Sequence, residues 1–226
     1  MYFDATYLIL IPAILFSLWA QSQVKNTYAR YSKAFAGLTG AEAARMVLEM
    51  NGVSGVTIEP VAGQLTDHFD PKSNTIRLSQ GVYDVTSVAA VGVAAHEAGH
   101  AVQYAVGYSP IKIRTAIIPV TQIGSYLSWP LLLIGLLMGS ETLAMAGVLL
   151  FCAVVAFQLV TLPVEFNASN RALEALGASG YLKEEQLNGA SKVLRAAAMT
   201  YVAALAQAVA QLLRLLLLAN NSRRRN

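Results

Sequence analysis

Four long uncharged stretches, residues 5–24, 116–140, 142–164 and 196–213, constrain this chain more than anything else in it. Each approaches or exceeds the ~20 residues that a helix needs to cross the hydrocarbon core of a bilayer. The charged fraction agrees: it is 13% here, against roughly 25% in an ordinary soluble domain. A free-standing water-soluble enzyme is therefore a poor fit, and a helical membrane protein carrying a small polar part is the expectation.

Charge placement orients the spans. All lysines and arginines except Arg214 and the terminal Arg223, Arg224 and Arg225 fall within 25–115 and 165–195, whereas Glu141 is the only charge between the second and third stretches. The positive-inside rule puts both basic segments in the cytoplasm and makes 116–164 a transmembrane hairpin. The first stretch follows Asp4 and precedes Lys25, Arg30 and Lys33, the arrangement of a retained anchor with its N-terminus outside rather than of a cleaved signal peptide. The fourth is open. Thr200, Gln207, Gln211 and Arg214 share one helix face, which suits either a span packed on protein or a helix lying in the interface.

The organisation expected is thus an anchor (1–24), a cytoplasmic polar part (25–115), the hairpin (116–164), a second cytoplasmic segment (165–195), and a membrane-associated helix with a basic tail (196–226). The +3 net charge does not gather into a basic stripe interleaved with aromatics, so nucleic acid is not an expected partner and membrane lipid is. The lone Cys152 excludes an internal disulfide and a cysteine-based zinc knuckle.

Within 25–115 the pattern is α+β. Thr39 followed by Glu42 is a capping-box signature for a helix running to Met50, where Asn51-Gly52 ends it. Short β-prone pieces lie at 56–59, 64–69 and 75–79, the last two flanking turn chemistry at 70–74. Residues 82–106 read as one buried, Ala- and Val-rich helix. The fold class expected is an α+β membrane protein, mostly helical, with three or four membrane helices and a small sheet packed on that buried helix.

That helix carries His96-Glu97-Ala98-Gly99-His100. Imidazoles at i and i+4 stack on one face, spaced as two ligands of a tetrahedral zinc, and a carboxylate beside them can take a proton from an attacking water. The bland reading is two surface histidines beside a solvated Glu; it sits badly on a helix that is apolar nearly all round. A third ligand is needed. Glu165, after Pro163, is the stronger candidate and His68 the weaker; the alternative for Glu165 is a helix N-terminal cap. Arg171 lies further along the same segment, a candidate catalytic group whose plain reading is a salt bridge or a solvated charge.

Taken together, Asp67-His68-Phe69-Asp70-Pro71, Thr75-Ile76-Arg77-Leu78-Ser79, His96 to His100 with Ala101-Val102-Gln103, and Glu165 to Arg171 resemble the YugP-type membrane neutral zinc metallopeptidases. They are more distantly similar to the HtpX and CAAX prenyl protease gluzincins. The resemblance implies one zinc per chain bound by His96, His100 and Glu165, with Glu97 as general base and acid, in a multi-pass inner-membrane endopeptidase acting on peptide or membrane-protein substrates from the cytoplasmic side. An adaptor protein or a second copy of the chain is a further partner. The sequence departs from the HtpX pattern where an Asp would follow the ligand Glu by four residues: Ser169 stands there, so the carboxylate behind the ligands is absent or comes from elsewhere, Asp84 being one source. The strand at 64–69 is the expected edge for an extended substrate, which would hang His68 near the cleft as an oxyanion stabiliser or leave it an ordinary strand histidine. The competing class is a membrane binding or scaffold protein with a structural or regulatory zinc; a base at position 97 argues against it.

Overall fold

The computed structural model describes residues 5–223. A short 3-10 turn, Ala5–Ile9, leads into α1 (Leu10–Tyr31), followed by α2 (Gly40–Met50), β1 (Thr57–Val61), β2 (His68–Asp70), β3 (Thr75–Ser79), α3 (Val88–Ala105), α4 (Ser109–Met138), α5 (Glu141–Ala178) and α6 (Glu184–Arg223). The fold is α+β. Four helices, Ala5–Tyr31, Ser109–Met138, Glu141–Ala178 and Glu184–Asn220, are long and apolar enough to cross a membrane. Of the basic tail, Arg223 ends α6, while Arg224 and Arg225, like Asp4, lie outside the described residues.

The chain forms two units. One comprises residues 21–111 and 163–199, and the other the remaining parts of the long helices. In the first, local chemistry acts as the sequence predicts. The Thr39 side chain accepts from the Glu42 N–H while Glu42 accepts from Thr39, closing the capping box and lowering the Glu42 pKa. β3 is the centre of a three-stranded sheet, parallel to β1 and antiparallel to β2. The β2–β3 turn is tied by Asp70, whose carboxylate takes bonds from the Ser73 hydroxyl and the Lys72 N–H, with Arg77 beside it. These pull its pKa down to about 2.

Two boundaries move. The buried helix starts at Val88, not near 82, because the preceding backbone is used elsewhere. Carbonyls of Tyr83, Val85 and Thr86 accept from Ala41, Gly40 and Ala36, and Ser87 then caps the helix through Ala90 N–H. The strand expected over 64–69 shrinks to His68–Asp70, since Gly63 (φ 109°) and Leu65 (φ 55°) take left-handed backbone that a strand cannot hold. The sheet and α2 pack on α3 around Val47, Ile76, Leu78, Val91, Ala94 and Val102. The other face of α3 meets α5 very closely: a Cβ at Gly99 would run into the Ala168 carbonyl.

In the other unit, α4 and α5 form the expected hairpin, again backbone to backbone, with Gly135 against Ala144 and Gly147 against Ser128. Its core is Leu132, Ala144, Val148, Phe151, Leu215 and Ala219. Arg214 is 4% exposed. Its Nε donates to Thr6 Oγ1 (3.1 Å), and its guanidinium lies 3.7 Å from the Tyr7 ring centre and 5.2 Å from that of Trp129. Of the polar face expected on the fourth stretch, Arg214 turns inward, whereas Gln207 is exposed.

Candidate metal centre

The site is made where α3 and α5 touch. Helix geometry puts His96, Gly99, His100 and Gln103 on one face of α3, and Gly99, lacking a side chain, lets the α5 backbone come in between the two histidines. α5 runs unbroken through Pro163, which removes one backbone bond without ending a helix packed on both sides of it. Glu165 is therefore deep inside a helix that starts at Glu141. The capping alternative falls, because no unsatisfied N–H groups surround it.

Glu165, 2% exposed, projects onto the histidine pair. Its Oε2 lies 3.3 Å from His96 Nε2 and 3.6 Å from His100 Nε2, and the ligand atoms of all three residues lie within 4.8 Å of one another. Two ligands of a tetrahedral zinc at 2.0–2.1 Å are separated by about 3.4 Å. The donor set therefore fits the ion: the carboxylate oxygen lies near a tetrahedral edge length from each of two imidazole nitrogens, and three protein ligands leave a fourth position. Burial works against a charge on His100. The Glu165 and Glu97 carboxylates outweigh it and raise the pKa above the ordinary histidine value, so the pocket is electrostatically prepared for a cation.

The far nitrogens of both rings are held. His96 Nδ1 is 3.1 Å from Ser169 Oγ and His100 Nδ1 is 3.0 Å from Gln103 Oε1. Ser169 itself thus stands behind His96, and the group behind His100 is Gln103 rather than Asp84. Gln103, 0% exposed, donates from Nε2 to the Val164 carbonyl (2.8 Å) and to Asn167 Oδ1 (3.0 Å), which also accepts from Arg171 Nε (2.8 Å). Neither Gln103 nor Asn167 stood out as a functional residue in the sequence. The available signal was spacing: Gln103 is one turn beyond His100, and Asn167 one turn before Arg171.

Glu97 lies beside the cluster and reaches the sheet, accepting the Phe69 N–H at 3.1 Å. Phe69 pairs with Ile76 of β3 on one side only, so this N–H marks the outer edge of β2. His68 does not join the cluster. It is exposed, its Nδ1 is 2.7 Å from the carbonyl of Thr66 in its own loop, and strand alternation puts it on the face opposite Phe69, whose ring packs on Tyr104 of α3. Arg171 reaches the site through Asn167 and Gln103 rather than directly.

Helices of membrane-spanning length and a His-His-Glu cluster able to hold a metal ion are features expected of a membrane metallopeptidase, and the family comparison points the same way. Residues 6–220 match the family described as "Putative neutral zinc metallopeptidase", and the chain belongs to that family. It is 46% identical over 218 residues to "Putative membrane protease YugP" of Bacillus subtilis (strain 168), covering 96% of this chain and 97% of that protein. No solved structure matches significantly.

Proposed function

We propose that the chain is a gluzincin-type endopeptidase of the inner membrane, with one zinc per chain held by His96, His100 and Glu165 and with Glu97 as general base and acid. The observation that carries this is the convergence of three ligand atoms within 4.8 Å of one another, Glu165 at 3.3 and 3.6 Å from the two histidine nitrogens, with the Glu97 carboxylate next to His96 on α3. When bound, zinc supplies Lewis acidity that polarises the scissile carbonyl and brings the pKa of coordinated water to ~7. Glu97 takes the proton of the attacking water and returns it to the leaving amine. An extended peptide, from a soluble or membrane-inserted substrate, lies along the outer edge of β2. It competes with Glu97 for the Phe69 N–H and leaves the carboxylate for the water. The charge distribution supports a site on the cytoplasmic side.

Glu97→Gln tests the mechanism, since the amide is nearly isosteric and cannot accept a proton. The variant should hold as much zinc as wild type while peptide hydrolysis falls by about 10²–10⁴. Activity near wild type overturns the protease mechanism. In a background lacking Cys152, Ser73→Cys should be shielded from an impermeant thiol reagent in intact cells and Ser140→Cys should react; the reverse pattern overturns the cytoplasmic assignment.

A further inference from the structure

The hydrogen bonds behind His100 have a direction, and the direction can be read without placing a single hydrogen. The Arg171 Nε–H can only donate, so the Asn167 atom 2.8 Å from it is the amide oxygen and not the nitrogen. The Val164 carbonyl can only accept, so the Gln103 atom 2.8 Å from it is the amide nitrogen. That nitrogen also donates to the same Asn167 oxygen at 3.0 Å. Turning either amide over would set donor against donor at Arg171 or acceptor against acceptor at Val164. Gln103 is consequently left with a carbonyl oxygen facing His100 Nδ1 at 3.0 Å, and an oxygen there accepts only a proton held by the ring.

We propose that Arg171, Asn167 and Gln103 form a polarity relay that fixes His100 as the Nδ1–H tautomer, leaving its Nε2 lone pair turned toward Glu165 for the metal. A neutral imidazole ligates through the nitrogen that carries no proton, so tautomer choice decides whether His100 is a ligand at all. The three residues are positioning residues. The two histidines are not equivalent: Ser169 Oγ can donate or accept, so it leaves His96 either tautomer, whereas the neutral His100 ring has one. The buried glutamine does the work of the carboxylate that stands behind many metal-binding histidines without adding a third negative charge to those of Glu97 and Glu165.

The relay rests on the metal site proposed above, and the experiment separates the two. Zinc affinity is measured on the purified full chain in detergent by competition with a chromophoric chelator, for wild type, Asn167→Leu and Asn167→Asp. Leu keeps the volume and removes the acceptor; Asp keeps an oxygen toward both Arg171 and Gln103. Asn167→Leu should bind about 10–100-fold more weakly, the usual cost of losing a group behind a ligand, and Asn167→Asp should return close to wild type. Equal affinity for Leu and wild type, or equal loss in Leu and Asp, overturns the relay while leaving the metal site standing. No zinc bound by wild type overturns the metal site and the relay with it. Long-range proton–nitrogen correlation on metal-free wild type, labelled at its three histidines and held at a pH where the His100 ring is neutral, reads the tautomer directly and decides the matter even where a variant does not fold. His100 should carry its proton on Nδ1, and a proton on Nε2 overturns the relay.

Discussion

The contact of α3 with α5 at Gly99 and that of α4 with α5 at Gly135 are built the same way and hold different things. In each, a missing side chain lets one helix rest on the backbone of the next, at Ala168 in the first and Ala144 in the second. Around Gly99 the close approach brings the half-buried His96 and His100 onto the buried Gln103 and Glu165; around Gly135 it brings together Leu132, Ala144 and Val148. Small residues set only the distance between helices. Whether that distance yields chemistry depends on the side chains one turn to either side, and buried ionisable groups persist only where others of complementary character meet them. Arg214 makes the same point in the second unit, where a single buried cation is accommodated by aromatic faces and the Thr6 hydroxyl.

Substitutions that break one contact should leave the signature of the other intact. Glu165→Gln should produce the largest effect, near-complete loss of zinc measured by elemental analysis, because removing one member of a buried charged cluster strands the rest. Retention of full zinc would move the third ligand elsewhere. Gly99→Ala and Gly135→Ala should each cost about 1–3 kcal/mol by overpacking, seen as a lower midpoint of thermal unfolding. They should differ in zinc affinity, which falls for Gly99→Ala, where α5 carries Glu165 away from the histidines, and holds for Gly135→Ala. Arg214→Met should shift stability by about 0.5–2 kcal/mol through the lost cation–π contacts, with zinc content unchanged. The smallest effect is expected of His68→Ala: zinc content and unfolding midpoint both equal to wild type, since its exposed ring bonds the Thr66 carbonyl of its own loop. A loss of zinc in that variant would contradict its place on the far face of the sheet.

Much of this was legible in the chain because it is local. The capping box at Thr39 and Glu42, the turn at Asp70 to Asn74, the apolar lengths and the i, i+4 histidines depend on residues a few positions apart. Local rules also misled where distant backbone competed. Residues 83–86 were lost to the helix because they bond the segment 36–41, and Pro163 did not end α5 because packing on its flanks outweighs one missing hydrogen bond. His68 looked close to the cleft because it is a histidine on a strand beside the site, and period-two alternation put it on the wrong face.

By itself, then, the sequence determined the elements and the ligand chemistry: how long each apolar helix is, which two imidazoles share a face, and that a carboxylate stands next to them. Those properties follow from composition and from helical or strand period, which are fixed within a few residues. Only the tertiary structure decided that Glu165 and Ser169 of α5 meet the two histidines of α3, and that Gln103 of α3 bonds Val164 and Asn167 of α5. Each of these contacts joins residues more than sixty positions apart in the chain, whereas His100 with Gln103 and Asn167 with Arg171 are pairs within one helix. The approach of two backbones at Gly99 sets which atoms meet there, and no pattern within either helix specifies that approach.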